Sequence, residues 1–134
     1  GVRESRRIVC DRMVTKADIE SGAKYEDGLF TVKQFVDIHR RDMKEAPIIV
    51  IKTEPYHIPY GALLPEGLEN ILVVGRCIGG EHEPLASYRI IADCMAMGEA
   101  AAIAAKSAIS GKCPLRKINV EKLVKEMSSR GYEQ

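Results

Sequence analysis

The sequence predicts a mixed α/β (or α+β) chain in which a small β region leads into a strand, a loop, a long helix and a C-terminal helix. Three observations carry this. The first half holds short β-branched runs such as Ile48-Ile49-Val50-Ile51, which suit a pleated, half-buried surface. The run Asn70-Ile71-Leu72-Val73-Val74 ends in Gly75, and a glycine at a strand end lets a backbone turn sharply or approach a ligand. Beyond it, the tract from Ser87 to Ile109 is rich in Ala and Met, residues that lose little freedom in a helix.

Taken in chain order, Val2 to Val9 alternates loosely between apolar and polar side chains and predicts a strand with one polar face. The trio Arg3, Arg6 and Arg7 on it fits a charge-protected strand edge or an anion-reading face. Thr15 followed by Asp18 is a capping pair, so a short helix follows and ends near Gly22. Phe30 to Ile38 predicts a second strand, Arg40 to Glu45 a charged loop, and Pro47 to Thr53 a buried strand. Tyr56 to Gly61 is a short extended piece broken by proline and glycine, and Pro65-Glu66-Gly67 is a turn before the strand Ile71–Val74. The long helix is expected over 87–109, capped by Ser87 and ended by Gly111, with Gly98, Ala101, Ala102 and Ala105 as a small face that packs closely. A last amphipathic helix spans 120–129, with Asn119 as its cap and Leu123, Val124 and Met127 inward.

Composition narrows the function classes. With 134 residues, 46% hydrophobic and 29% charged, the chain reads as a globular protein. A formal charge of +1 offers no electrostatic footprint for a nucleic acid or an anionic membrane. The apolar tract from Ile90 to Ile109 contains Asp93, Glu99 and Lys106, which a bilayer span would place in hydrocarbon. Cys10, Cys77, Cys94 and Cys113 form no CxxC pair, three lie in or beside apolar runs, and they predict buried free thiols in a reducing cytoplasm. The spacing of Cys77, His82 and Cys94 matches no zinc pattern, so no metal is expected.

The chain resembles the C-terminal portion of the FAD-dependent oxidoreductase family of bacterial dehydrogenases, which have a glutathione-reductase-like flavin fold. The residues that carry the likeness are Gly1-Val2-Arg3-Glu4-Ser5-Arg6-Arg7-Ile8, Ile58-Pro59-Tyr60, Gly75-Arg76-Cys77-Ile78, His82, Ser87-Tyr88-Arg89 and Cys94-Met95-Ala96-Met97-Gly98-Glu99-Ala100-Ala101. The resemblance implies that 1–56 is the tail of a substrate-type β region and 57–134 the returning part of the FAD-binding domain. It implies hydride transfer between a small organic substrate and FAD in the intact parent, with the fragment alone inactive. No G-x-G-x-x-G occurs in the sequence, so the nucleotide anchor belongs to an N-terminal flavin domain outside this chain.

The same resemblance assigns the cofactor contacts to Gly75, Arg76, Cys77, Ser87, Arg89 and Ile90. Gly75 would let the backbone approach the ligand, with the Arg76 and Cys77 amides donating to it. The helix beginning near Tyr88 would present free amides to the flavin edge where negative charge collects on reduction. Arg76 and Arg89 suit a phosphate or a carboxylate through their planar forks. His82 is the acid/base candidate, because an imidazole titrates near neutral pH; Tyr60 and His57 come second. The competing expectation is a non-enzymatic, self-associating module without cofactor, its unpaired sheet edge and apolar helix face covered by a second copy.

Overall fold

The computed structural model describes residue 4, residues 6–39 and residues 48–134. It has the expected mixed α and β character. Helix α1 (Lys16–Ser21) forms where the capping pair predicts it: the Thr15 hydroxyl accepts from the Asp18 amide at 3.3 Å, and the Asp18 carboxylate accepts from the Thr15 amide at 2.7 Å. Gly22 closes it in the left-handed region.

The single strand expected over Phe30 to Ile38 is two. Strand β1 (Gly28–Val32) and strand β2 (Val36–His39) belong to separate antiparallel ribbons. β2 pairs with β3 (Ile48–Ile51), and β1 pairs with β4 (Tyr56–Pro59). Between β1 and β2 the chain leaves the ladder at Gln34, whose carbonyl instead accepts from the Thr53 and Ser87 hydroxyls at 2.9 and 2.5 Å. Alternation alone does not reveal such a tertiary capture.

Of the expected strand Val2–Val9, residues 2, 3 and 5 lie outside the described residues, as does the charged loop Arg40 to Glu45. Residues 6–9 are not a strand, although Cys10 forms a single antiparallel bridge with Pro65. Arg7 pairs with Glu4. Residues 71–74 also lack the expected strand: the Val73 amide reaches the Leu63 carbonyl at 2.9 Å, and no ladder forms. They run instead into a short 3-10 turn, Gly75–Cys77, entered through Gly75 at φ 71°. The left-handed backbone there favours glycine.

The long helix departs most from expectation. Helix α2 (His82–Tyr88) precedes α3 (Ile91–Gly111), and the two are separated by Arg89 and by an extended Ile90. Ser87 therefore caps nothing; it lies fully buried in the last turn of α2. Ile90 occupies the N-cap of α3 and supplies no side-chain hydrogen bond, so the first amides of α3 have no cap of their own. At the other end Lys112, not Gly111, takes the left-handed cap position.

The buried face of α3 is Asp93, Ala96, Met97, Ala100, Ile103, Ala104 and Ala108. The predicted small face is displaced from it: Ala102 is exposed, Ala101 and Ala105 are half-buried, and a Cβ on Gly98 would meet nothing within 4 Å. Helix α4 (Val120–Ser129) spans the predicted range, with the Asn119 side chain accepting from the Lys122 amide at 2.9 Å, although Val124, expected inward, is only half-buried. Leu123 and Met127 are buried and join a core that includes Tyr56, Ile58, Tyr88 and Met97.

Candidate functional site at the mouth of the long helix

The break between α2 and α3 creates a cleft of about 320 Å³, lined by Gln34, Phe35, Asp37, Arg76, Ala86, Arg89 and Ile90. Three predicted contact residues meet here: Arg76 from the 3-10 turn, Arg89 from the helix junction and Ile90 at the N-cap of α3. Arg89 donates to the Asp37 carbonyl at 2.6 Å, which ties the junction to β2 and holds the guanidinium at the cleft. The uncapped start of a 21-residue helix adds partial positive charge. Two guanidiniums, the Asp37 carboxylate and a helix mouth meet at one concavity, and the cationic groups outnumber the acid, a balance that attracts negative charge.

Gly75, Cys77 and Ser87 stand behind this lining. The Gly75 amide donates to Met97 Sδ at 3.2 Å, and a Cβ there would lie 3.5 Å from Cys94 Sγ. The turn is thus seated against α3. Cys77 Sγ donates to the Val74 carbonyl at 3.2 Å. Ser87 Oγ accepts from the Tyr56 hydroxyl at 3.0 Å and donates to the Gln34 carbonyl, which fixes one wall of the cleft from inside.

His82 opens α2, at the opposite end from the junction, and its Nδ1 lies 2.5 Å from the Glu4 carboxylate. His57 is buried; its Nδ1 accepts from the Tyr25 amide at 3.2 Å, and burial lowers its imidazole below the ordinary value. The Tyr60 hydroxyl donates to the Leu115 carbonyl at 3.0 Å, and burial pushes its phenol up to about 12. None of these three lines the cleft.

Gln34, Phe35 and Asp37 were not among the sequence candidates. The one available signal was the polar interruption Lys33-Gln34 inside an apolar alternation. Asp93 was missed as well. In the first turn of α3, it is nine-tenths buried, its Oδ2 has no hydrogen-bond partner, and burial pushes its carboxyl up to about 6. All four cysteines are free, but only Cys10 is buried as expected; Cys77, Cys94 and Cys113 are half-buried. Among the described residues no helix is long and apolar enough to cross a membrane.

The residues fit one edge of a flavin better than a whole dinucleotide. A cleft of about 320 Å³ lies at the small end of ligand pockets, and its donors suit the carbonyl-rich pyrimidine edge. The phosphates would need the glycine-rich turn that the sequence lacks.

The family model described as FAD dependent oxidoreductase matches residues 1–127, and the chain belongs to that family. No curated protein and no solved structure matches it.

Proposed function

We propose that the chain is the C-terminal portion of a bacterial FAD-dependent dehydrogenase and that its cleft receives the pyrimidine edge of the flavin. The observation that carries this reading is the convergence of Arg76, Arg89 and the uncapped start of α3 on one cavity. When bound, FAD supplies the hydride chemistry. The chain's own residues bind and orient: Arg76 and Arg89 meet the electron-rich edge, and the α3 amides favour negative charge there. Gly75 seats the Arg76 turn on α3, and the Tyr56–Ser87–Gln34 bonds keep the wall rigid. The free cysteines accord with a cytoplasmic setting.

Riboflavin, which has the ring but no phosphate, tests the cleft directly. Fluorescence titration of the purified chain is expected to show weak binding that drops about tenfold or more in Arg89→Ala, since a charge-assisted hydrogen bond contributes about 1.5–3 kcal/mol. Absence of binding, or equal binding by the variant, overturns the reading.

One observation favours a second reading, a self-associating module. Ile91, Met95 and Ile109 are 81%, 68% and 79% exposed, and with Gly98, Ala102 and Ala105 they form one stripe along α3. The stripe has large side chains at both ends and small ones at its centre. An antiparallel copy would set Ile91 opposite Ile109 and let the backbones approach at Gly98 and Ala102. Sedimentation velocity on the wild type and on Ile91→Glu/Ile109→Glu separates the two: a reversible dimer lost in the variant supports the module, and a monomer at all concentrations rejects it.

A further inference from the structure

We propose that Phe35 decides which ligands the cleft holds: its ring is the surface on which a flat ring stacks, so the cleft takes planar aromatic anions and discriminates against saturated ones. The inference rests on the reading above that the cleft receives an electron-rich ligand edge, and it adds the residue and the ring chemistry that set the choice.

The lining offers two kinds of surface. Arg76 and Arg89 bring charge, while Phe35, Ala86 and Ile90 bring apolar contact. A ligand that satisfies both has an apolar body and a negative edge. Ala86 is buried and contributes a single methyl, so most of the apolar contact comes from Ile90 and from Phe35, the one aromatic residue of the lining among the described residues. An aliphatic side chain accepts any apolar shape, whereas a phenyl ring gains most from a second ring in offset stacking.

The chain holds this ring away from its own core. Its two phenylalanines have opposite surroundings: Phe30 is buried and packs on Tyr132 with 6.3 Å between ring centroids, whereas Phe35 is 52% exposed. The backbone on both sides of Phe35 is tied down. The Gln34 carbonyl accepts from the Thr53 and Ser87 hydroxyls at 2.9 and 2.5 Å, Val36 is wholly buried, and the Asp37 carbonyl accepts from Arg89 at 2.6 Å. A solitary exposed apolar side chain on an open surface is ordinary. This one lines a concavity beside two guanidiniums, on backbone anchored before and after it. The bond from Arg89 to the Asp37 carbonyl also fixes the charge relative to the ring, so a ligand that meets both surfaces orders little of the protein on binding.

Benzoate and cyclohexanecarboxylate test this, because the two anions share charge and ring size and differ in flatness. NMR titration of the purified chain should show benzoate binding about tenfold more tightly, the size of effect that one stacked ring contributes. Phe35→Leu keeps apolar bulk without a π face and should abolish the preference; Phe35→Tyr should retain it. The same spectra report whether the exposed substitutions leave the fold intact. Equal affinity for the two anions, binding of neither, or a preference that persists in a folded Phe35→Leu overturns the inference. Riboflavin separates it from the flavin reading. Equal riboflavin binding by wild type and Phe35→Leu overturns the role of Phe35 and leaves the flavin reading intact, whereas selective benzoate binding by a chain that does not bind riboflavin supports Phe35 and overturns the flavin reading.

Discussion

A buried carboxyl that keeps its proton burdens the fold as pH rises. Asp93 moves from 3.8 to about 6 on folding, so the native state binds more protons than the unfolded chain between those values. Stability is then fully present below about pH 4 and falls as pH rises toward 6, by about 3 kcal/mol in all. His57 runs in the opposite sense: burial lowers its imidazole from 6.5, so its contribution holds above that value and is lost as pH falls. The two act in opposite senses, and the difference between wild type and variant isolates Asp93. Asp93→Asn is expected to gain about 1–3 kcal/mol in urea unfolding at pH 7 and nothing at pH 4; an equal change at both values would mean that packing, not charge, is involved. At Gly28 the decisive contact is steric. A Cβ there would sit 2.2 Å from His57 Nδ1, so Gly28→Ala should displace the imidazole, pull β1 from β4 and cost about 1–3 kcal/mol.

The elements divide by whether their signals are local. Helices α1 and α4 were legible because their caps lie within three residues of the groups they satisfy. Thr15→Ala should accordingly cost about 1 kcal/mol in chemical unfolding, and a loss below a few tenths would show that tertiary contacts alone hold α1. The break between α2 and α3 was not legible. Arg89 and Ile90 are acceptable helix residues; what stops the helix is a tertiary arrangement in which Arg89 reaches the Asp37 carbonyl and Ile90 turns extended. The run 71–74 has the composition of a strand, yet a strand also needs a neighbouring ladder, which composition does not report. The same distinction governs the cleft. Arg76, Arg89 and Ile90 were named from the family resemblance, whereas Gln34, Phe35 and Asp37 arrive from a distant ribbon and carry no motif. Asp93 entered the sequence reading only as a charge against a bilayer span, because burial is a property of the assembled molecule.

At the scale of the molecule, the described strands make two ribbons of two strands each and, among the described residues, no larger sheet; such ribbons are marginal alone. Long-range side-chain ties must therefore connect distant segments. Arg116, between α3 and α4, does this most extensively: it pairs with Asp11 and Glu69 and donates to the carbonyls of Pro65 and Leu68. The Glu69 pair is largely solvated and contributes little. The carbonyl of Pro65 is part-buried and would lose a charged donor without a ready substitute. Arg116→Leu keeps much of the side-chain volume but removes every donor, so it should cost about 1–3 kcal/mol. The loss should be local as well as global, since the Asp11 and Glu66 amides bond across the same junction to Leu64 and Val9. Hydrogen exchange is expected to quicken at those two amides while the amides inside α3 keep their protection. Uniform acceleration across the chain would instead show that Arg116 acts on overall stability and ties no particular segments together.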